Sequence, residues 1–181
     1  MIIRHKDLVN KGYSAYQIKK MVNEKKLFFV KKGVYSTDDN INYFEVITKK
    51  HPNAIFTLET ACYIYGLKKE LPSTYYVASK QKDRKMKEDY IKQIFMTDDL
   101  YNIGVNNMTY QNVNIKAYDL ERLLIEVVRN KTNIDNASYR EIMESYSKLS
   151  KLLNRRKLEE YIPHFKNHKI LERISKEVFK Y

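Results

Sequence analysis

One stretch of the chain, residues 12–36, restricts the fold more than any other. Its sequence is GYSAYQIKKMVNEKKLFFVKKGVYS. Ser14 and Gln17 have the spacing of a capping box, in which each side chain satisfies the free backbone amide of the other residue, so a helix is predicted to begin here. One face of that helix would carry Ile18, Met21, Val22 and Lys25. This helix therefore needs a surface to cover its apolar face.

The end of the same stretch predicts two short strands. The first is the apolar run LFFV, rich in β-forming residues, and the second is VYS, which follows the turn sequence KKG. Gly33 would occupy the turn position that needs a positive φ. A short helix, RHKDLVN, precedes the capped helix and is closed by Gly12. The order of helix, turn, helix and two-stranded wing predicts a winged helix-turn-helix domain over residues 1–38.

Residues 39–181 are predicted to form a second domain, which makes the protein α+β. A helix is expected within INYFEVITKKHPN and another within TLETACYIYG. The segments that follow predict a small mixed or mostly antiparallel sheet, and they are TYYVAS, YIKQIFMT, NIGV, MTY and VNIKAY.

The rest of this domain is predicted to be a helical C-terminal bundle. Asp119 is a candidate N-cap for a core helix whose apolar stripe contains Leu120, Leu123, Leu124, Val127 and Val128. Ser138 and Glu141 have capping-box spacing for a second helix. Asn167 is a candidate cap for the last helix, whose inward residues would be Leu171, Ile174 and Val178.

The net charge of +12 is concentrated at the two ends of the chain. Residues 1–38 hold nine Lys and Arg against three acids, and residues 148–181 hold ten against four, whereas the middle is balanced. Cations gathered in this way predict surfaces for a polyanion, with double-stranded DNA the leading partner. The basic segments lack the broad apolar face of interfacial helices, and the N-terminus lacks the apolar core of a signal peptide. We therefore expect a cytoplasmic protein without a membrane partner.

The second helix and the wing supply candidate DNA contacts. A helix in the major groove needs exposed side chains that hydrogen-bond bases, with cations on either side that meet phosphates. The predicted base-contacting residues are Ser14, Tyr16, Gln17, Lys20 and Asn23. The predicted phosphate-contacting residues are Lys19, Lys25 and Lys26, together with Lys31 and Lys32 at the wing tip. The alternative is that these lysines only solvate a helix.

No group of residues predicts catalysis, a metal site or a cofactor. Asp119 and Glu121 would suit a metal-dependent nuclease, but Asp119 fits a helix N-cap and Glu121 should point away from the leucine stripe, with no third carboxylate nearby. His164 and His168 have zinc-ligand spacing but lack further ligands. Cys62, the single cysteine, is expected to be a buried and inert thiol. We therefore expect a binding protein and not an enzyme.

Taken in order, these motifs resemble those of the abortive-infection antitoxins called AbiEi, of type IV toxin–antitoxin systems. The resemblance runs over nearly the whole chain. The N-terminal stretch is similar to the family's winged helix, which ends in Gly-Val/Ile-Tyr, here Gly33, Val34 and Tyr35. The run AYDLERLLIEVV is similar to the family's C-terminal core helix, whose acid, arginine and paired leucines correspond to Asp119, Glu121, Arg122, Leu123 and Leu124.

The resemblance implies that residues 1–38 bind inverted repeats in the promoter of the protein's own operon and repress it. It also implies that residues 39–181 counter a cognate nucleotidyltransferase-type toxin, functionally and without an obligatory stable complex. Two alternatives remain open: a winged-helix transcriptional regulator, and a protein-binding module whose basic C-terminal helices hold an acidic partner. A nuclease that uses Asp119 and Glu121 is a third.

Overall fold

The computed structural model describes residues 1–165 and 169–179. Helices and strands are mixed in an α+β arrangement, as the sequence predicts. The chain divides into an N-terminal unit, Met1–Asn53 with Gln111–Val113, and a C-terminal unit, Ala54–Tyr110 with Asn114–Tyr181. Among the described residues, no helix has both the length and the apolar character that crossing a membrane requires.

The N-terminal unit has the predicted order of helix, turn, helix and wing, with a strand before it and a helix after it. Its sheet is antiparallel with the order β1-β3-β2. Its elements are β1 (Ile2–Arg4), α1 (His5–Asn10), α2 (Ala15–Asn23), β2 (Phe28–Lys31), β3 (Val34–Ser36) and α3 (Tyr43–Lys50). The sequence did not predict β1, which pairs along the whole of β3.

Helix α2 begins and ends through identifiable hydrogen bonds. The Ser14 backbone amide donates to Gln17 Oε1 at 2.8 Å, and the Gln17 amide donates to Ser14 Oγ at 3.2 Å, which confirms the predicted capping box. At the other end the amides of Lys25 and Lys26 donate to the carbonyls of Val22 and Met21, the double closure of a Schellman motif.

The sheet of the N-terminal unit lies between two small apolar clusters. On one side α1 and α2 contribute Leu8 and Ile18, which pack with Leu27 and with the partly buried side chains of Ile3 and Tyr35. The other cluster is formed by Ile2, Val34 and Val46, the last of which comes from α3. The apolar face of α2 is therefore covered by α1 and the sheet, and α3 covers the opposite side of the sheet.

Helix α3 belongs to the N-terminal unit because it is bonded to β1. The Ile2 amide donates to Glu45 Oε1 at 3.0 Å, and Lys49 Nζ donates to the Ile2 carbonyl. Arg4 Nη1 reaches the Lys49 carbonyl at 3.4 Å. The boundary between the compact units thus follows Asn53, whereas the sequence placed it after residue 38.

The C-terminal unit contains a five-stranded mixed sheet with the order β6-β5-β4-β8-β7. Strand β4 is antiparallel to β5 and parallel to β8, and β5 is parallel to β6. Of the predicted strands NIGV and MTY, MTY lies within β7, whereas NIGV contributes only Val105 to that strand and its first three residues form a turn. The strands are β4 (Ile55–Phe56), β5 (Tyr75–Lys80), β6 (Ile91–Met96), β7 (Val105–Tyr110) and β8 (Val113–Tyr118).

Helices of the C-terminal unit pack around α6, which is buried on nearly all sides. Asp119 caps α6 as predicted, accepting from the Arg122 amide at 2.9 Å. The helices of the unit are α4 (Leu58–Ile64), α5 (Asp98–Tyr101), α6 (Leu120–Arg129), α7 (Asn136–Lys148), α8 (Arg155–Tyr161) and α9 (Lys169–Ile174). Single turns at Lys131–Asn133 and Ile162–Phe165 and a π-helical turn at Ser175–Phe179 complete it.

Two predicted details of these helices are wrong. Asp135, and not Ser138, caps α7, because the Asp135 carboxylate accepts from the amides of Ala137 and Ser138. In the last helical segment Ile170 is buried and Leu171 is exposed, while Ile174 and Val178 are buried as predicted. The predicted cap Asn167 lies outside the described residues.

Candidate nucleic-acid interface

The solvent face of α2 carries four of the predicted DNA contacts. Tyr16 is 77% exposed, and Lys19, Lys20 and Asn23 are exposed beside it, whereas Ile18 on the opposite side of the helix is buried. Burial of the apolar side fixes which face of the helix meets solvent. This short helix therefore presents one aromatic ring, one amide and two ammonium groups to solvent.

Ser14 and Gln17 are partly committed to the capping box. The Gln17 carbonyl oxygen and the Ser14 hydroxyl oxygen both accept backbone amides. The Gln17 NH₂ group and the Ser14 hydroxyl proton keep their capacity to donate. Two donors at a helix N-terminus suit a phosphate oxygen better than a specific base pattern. The prediction that these two residues contact bases becomes, on this geometry, a prediction that they contact the DNA backbone.

Glu24 divides the lysines into two classes. Its carboxylate lies 2.7 Å from Lys26 Nζ and 3.8 Å from Lys20 Nζ. The hydrogen bond to Glu24 raises the pKa of Lys26 and occupies one of the donors that Lys26 could offer to a phosphate. Lys19 has no ion pair in the part of the chain that the structure describes. Lys19 is therefore a stronger candidate for a phosphate contact than Lys20 or Lys26.

Lys25 lies beyond the end of α2 and not on its apolar face. Its φ of 55° is left-handed, at the position of the Schellman motif that glycine usually occupies. The side chain is exposed, so the expectation that Lys25 shares a face with Ile18 is wrong. Because the chain reverses here, Lys25 projects from the connection between α2 and the wing.

The wing places Lys31 and Lys32 at its tip, as predicted. Lys31 ends β2 opposite Val34, after an irregularity in the register, and Lys32 follows in the turn. Gly33 has a φ of 79°, which an L side chain would resist. On the same hairpin Phe29 is 58% exposed and packs edge-on against Tyr35, with ring centroids 6.0 Å apart.

Exposed groups on α1 and on the turn after it were not among the predicted contacts. Lys6 and Lys11 are exposed, and Tyr13 in the turn is exposed as well. In DNA-binding helix-turn-helix proteins the first helix crosses the phosphate backbone, so Lys6 and Lys11 join the candidate contacts. Their local charge was visible in the sequence, but the prediction was confined to the second helix and the wing.

Asp119 and Glu121 are held by neighbouring elements of the C-terminal unit. Asp119 Oδ2 accepts from Lys157 Nζ and from the Tyr161 hydroxyl, each at 3.1 Å. The hydrogen bond between Lys157 and Asp119 raises the pKa of Lys157. Glu121 is buried and accepts from the Asn154 amide at 2.8 Å. Both carboxylates tie α6 to α8 and to the connection that precedes it.

The remaining reactive side chains are placed as follows. Cys62 is fully buried, as predicted, and burial raises the pKa of its thiol above the ordinary value. His164 lies in the turn after α8, and His168, four positions further on, is outside the described residues. Within residues 1–165 and 169–179, no three His, Cys, Asp or Glu side chains are grouped to hold a metal ion.

The fold is similar to that of a solved protein. The crystal structure of the RV2827C protein from Mycobacterium tuberculosis matches this chain with a TM-score of 0.73, covering 99% of this chain and 72% of that one. The two sequences are 11% identical, so the likeness establishes a common fold and nothing about function. No protein-family model matches the sequence, and no curated protein matches it.

Proposed function

We propose that the N-terminal unit binds double-stranded DNA, with α2 against the major groove and the β2–β3 hairpin beside it. The observation that carries this proposal is the exposed cationic face of α2, fixed in direction by its buried apolar side, in the same compact unit as a lysine-tipped wing. Residues 1–53 hold eleven Lys and Arg against five acids. A basic helix-turn-helix with a basic wing is one of the arrangements that recognise duplex DNA.

The side chains on α2 have different proposed roles. Tyr16 and Asn23 would contact base edges, since they are exposed and can hydrogen-bond without a formal charge. Lys19, Lys25 and Lys32 would contact phosphates, with Lys20, Lys26 and Lys31 supporting them. The donors of Ser14 and Gln17 at the start of α2 would meet a phosphate oxygen.

Binding to the protein's own promoter tests this proposal. A duplex of about 30 base pairs from upstream of the gene accommodates two half-sites one helical turn apart, and a shuffled duplex of equal composition is its control. With four to six phosphate contacts, log K should fall against log salt with a slope of about −4 to −5. We expect tighter binding to the promoter duplex. Equal, salt-insensitive binding of both duplexes would contradict the proposal.

We further propose, from the resemblance to the AbiEi antitoxins, that the chain represses its own operon in the cytoplasm and counters a nucleotidyltransferase-type toxin. The C-terminal unit would carry the antitoxin activity by binding, with no catalytic step and no obligatory stable complex. Its separate apolar core supports a separate task for it. The competing assignments are a regulator without antitoxin activity and a protein-binding module.

A charge reversal on α2 separates these assignments. Lys19→Glu with Lys20→Glu should abolish promoter binding and leave protection against the neighbouring toxin gene intact, because both side chains lie on the surface of the N-terminal unit. Protection is measured as growth of cells that express both proteins. If growth is lost together with repression, the two activities share one surface and the division of labour is wrong.

A further inference from the structure

The connection between β5 and β6 forms a second basic surface, in the C-terminal unit. Residues 80–92 hold six Lys and Arg against three acids, inside a middle region of the chain that is neutral overall. Four basic side chains on the connection are exposed within six positions. They are Lys82, Arg84, Lys85 and Lys87.

Gln93 on β6 holds the backbone of this connection in place. Its Oε1 accepts from the Met86 amide at 2.7 Å. Its Nε2 donates to the Arg84 carbonyl at 3.3 Å and to Ser79 Oγ at 2.7 Å. The basic residues are therefore displayed from a fixed loop, which lowers the entropy that a ligand must remove on binding.

No acid of the connection forms an ion pair with its exposed cations among the described residues, and the third acid, Asp89, is exposed. The Asp83 carboxylate accepts from the Lys80 backbone amide at 3.0 Å, and Glu88 is buried. Lys82 pairs with Asp98 at 3.1 Å. The other three basic residues form no ion pair within the described part of the chain, and they are Arg84, Lys85 and Lys87.

An exposed aromatic ring lies on the same face of the sheet as this loop. Side chains two residues apart on a strand share a face, so Phe95 lies on the face from which Gln93 reaches the loop. Phe95 is also in register with Ser79, the residue that Gln93 contacts. The Phe95 ring is 45% exposed, at the edge strand of the sheet.

We propose that this surface binds single-stranded nucleic acid, with Phe95 stacking on an unpaired base and the loop cations contacting the neighbouring phosphates. A positive loop beside an exposed ring matches the two needs of such a ligand, backbone neutralisation and base stacking. Bases in a duplex are already stacked on each other and leave Phe95 without a partner. An acidic protein would use the cations but has no specific need for the ring. The surface belongs to the C-terminal unit and is independent of the proposed duplex DNA site on α2.

Fluorescence anisotropy with the full chain tests this proposal. The probes are labelled uridine-rich RNA and thymidine-rich DNA of about 12 nucleotides, within the usual range of single-strand sites. One variant carries Arg84→Ala, Lys85→Ala and Lys87→Ala, and a second carries Phe95→Leu. The matched control removes three other exposed cations of the same unit that lie outside the basic segment 148–181, Lys69→Ala, Lys131→Ala and Arg140→Ala.

Affinity for the single strands should fall about tenfold or more in the loop variant, with a salt slope shallower by about 2, or 0.7 for each lost contact. Phe95→Leu should cost about fivefold, because a leucine keeps the volume but not the stacking. The control variant and duplex promoter binding should change less than about twofold. The probe that binds with the higher affinity identifies RNA or DNA as the ligand.

Three outcomes would overturn the assignment. They are an equal loss in the control variant, no loss with Phe95→Leu, and equal competition by a poly-glutamate peptide of matched charge. The last would indicate an acidic protein partner. Because duplex binding is measured on the same samples, failure here is distinguishable from failure of the proposed DNA site on α2.

Discussion

Helices α2 and α6 look alike in sequence and differ in what their charges do. Each begins with a side-chain cap and carries an apolar stripe with charges between. On α2 the cations remain in solvent. On α6 Arg122 is 0% and Glu126 1% exposed, joined by a salt bridge of 2.7 Å. An apolar stripe therefore identifies one buried side of a helix without saying whether the other side is also covered.

The buried guanidinium of Arg122 contacts two aromatic rings, a backbone carbonyl and a carboxylate. Its guanidinium lies between the rings of Tyr118 and Phe165, 4.5 and 4.3 Å from their centroids. Nη1 donates to the Leu100 carbonyl at 3.1 Å. This cation holds β8, α6 and the turn after α8 together. Within residues 1–165 and 169–179, the lysines of α2 have at most Glu24 as a partner, so their charges are not used by the fold.

The largest effect should come from breaking the buried pair. Arg122→Met leaves Glu126 with its charge buried and its main partner gone, which should destabilise the protein by about 3 to 5 kcal/mol. Lys19→Met on α2 should change stability by less than about 0.5 kcal/mol. Urea denaturation followed by circular dichroism compares the two variants. Adding Glu126→Leu to Arg122→Met should recover part of the loss, and a double variant worse than the single one would contradict this account.

A smaller effect should come from adding a methyl group at Gly104, next to α6. A Cβ on Gly104 would lie 2.5 Å from the Arg122 Cβ, and Gly104 has a φ of 69°. Gly104→Ala should therefore cost about 2 to 4 kcal/mol from overlap and backbone strain. Gly12→Ala meets no atom within 4 Å and should cost about 1 kcal/mol from its positive φ alone. Amide hydrogen exchange measures each unit separately, and equal costs would show that α6 can yield to the new methyl group.

The smallest effect should be a gain. Lys25 adopts a left-handed conformation at the Schellman position, so Lys25→Gly should stabilise the N-terminal unit by about 0.5 to 1 kcal/mol. The same change should weaken duplex DNA binding slightly by removing one cation. Thermal unfolding and anisotropy on the same sample measure both. A loss of stability would mean that the Lys25 side chain has a structural role.

Local signals in the sequence predicted the elements of the N-terminal unit well. The capping box of Ser14 and Gln17, the apolar side of α2 and the turn at Gly33 depend on residues close in sequence, and all three are confirmed. The Asp119 cap was predictable for the same reason. Which charges face solvent on α2 followed from the position of Ile18.

Features that depend on distant residues were not predictable. Strand β1 is three residues long and is defined by its pairing with β3, and α3 joins the N-terminal unit through Glu45 and Lys49. The partners that bury Arg122 come from β8 and from the turn after α8. At α7 the prediction chose Ser138 as the cap, and the helix begins three residues earlier, where the Asp135 carboxylate accepts the free amides.

The salt dependence of promoter binding tests most directly the claim that the charges of α2 serve a ligand and not the fold. The measurement compares the full chain with a variant that carries Lys19→Ala and Lys20→Ala. We predict a slope of log K against log salt that is shallower by up to about 2, or 0.9 for each lost phosphate contact. The free energy of unfolding should change by less than about 0.5 kcal/mol. An unchanged slope, or a loss of stability as large as that of Arg122→Met, would contradict the account.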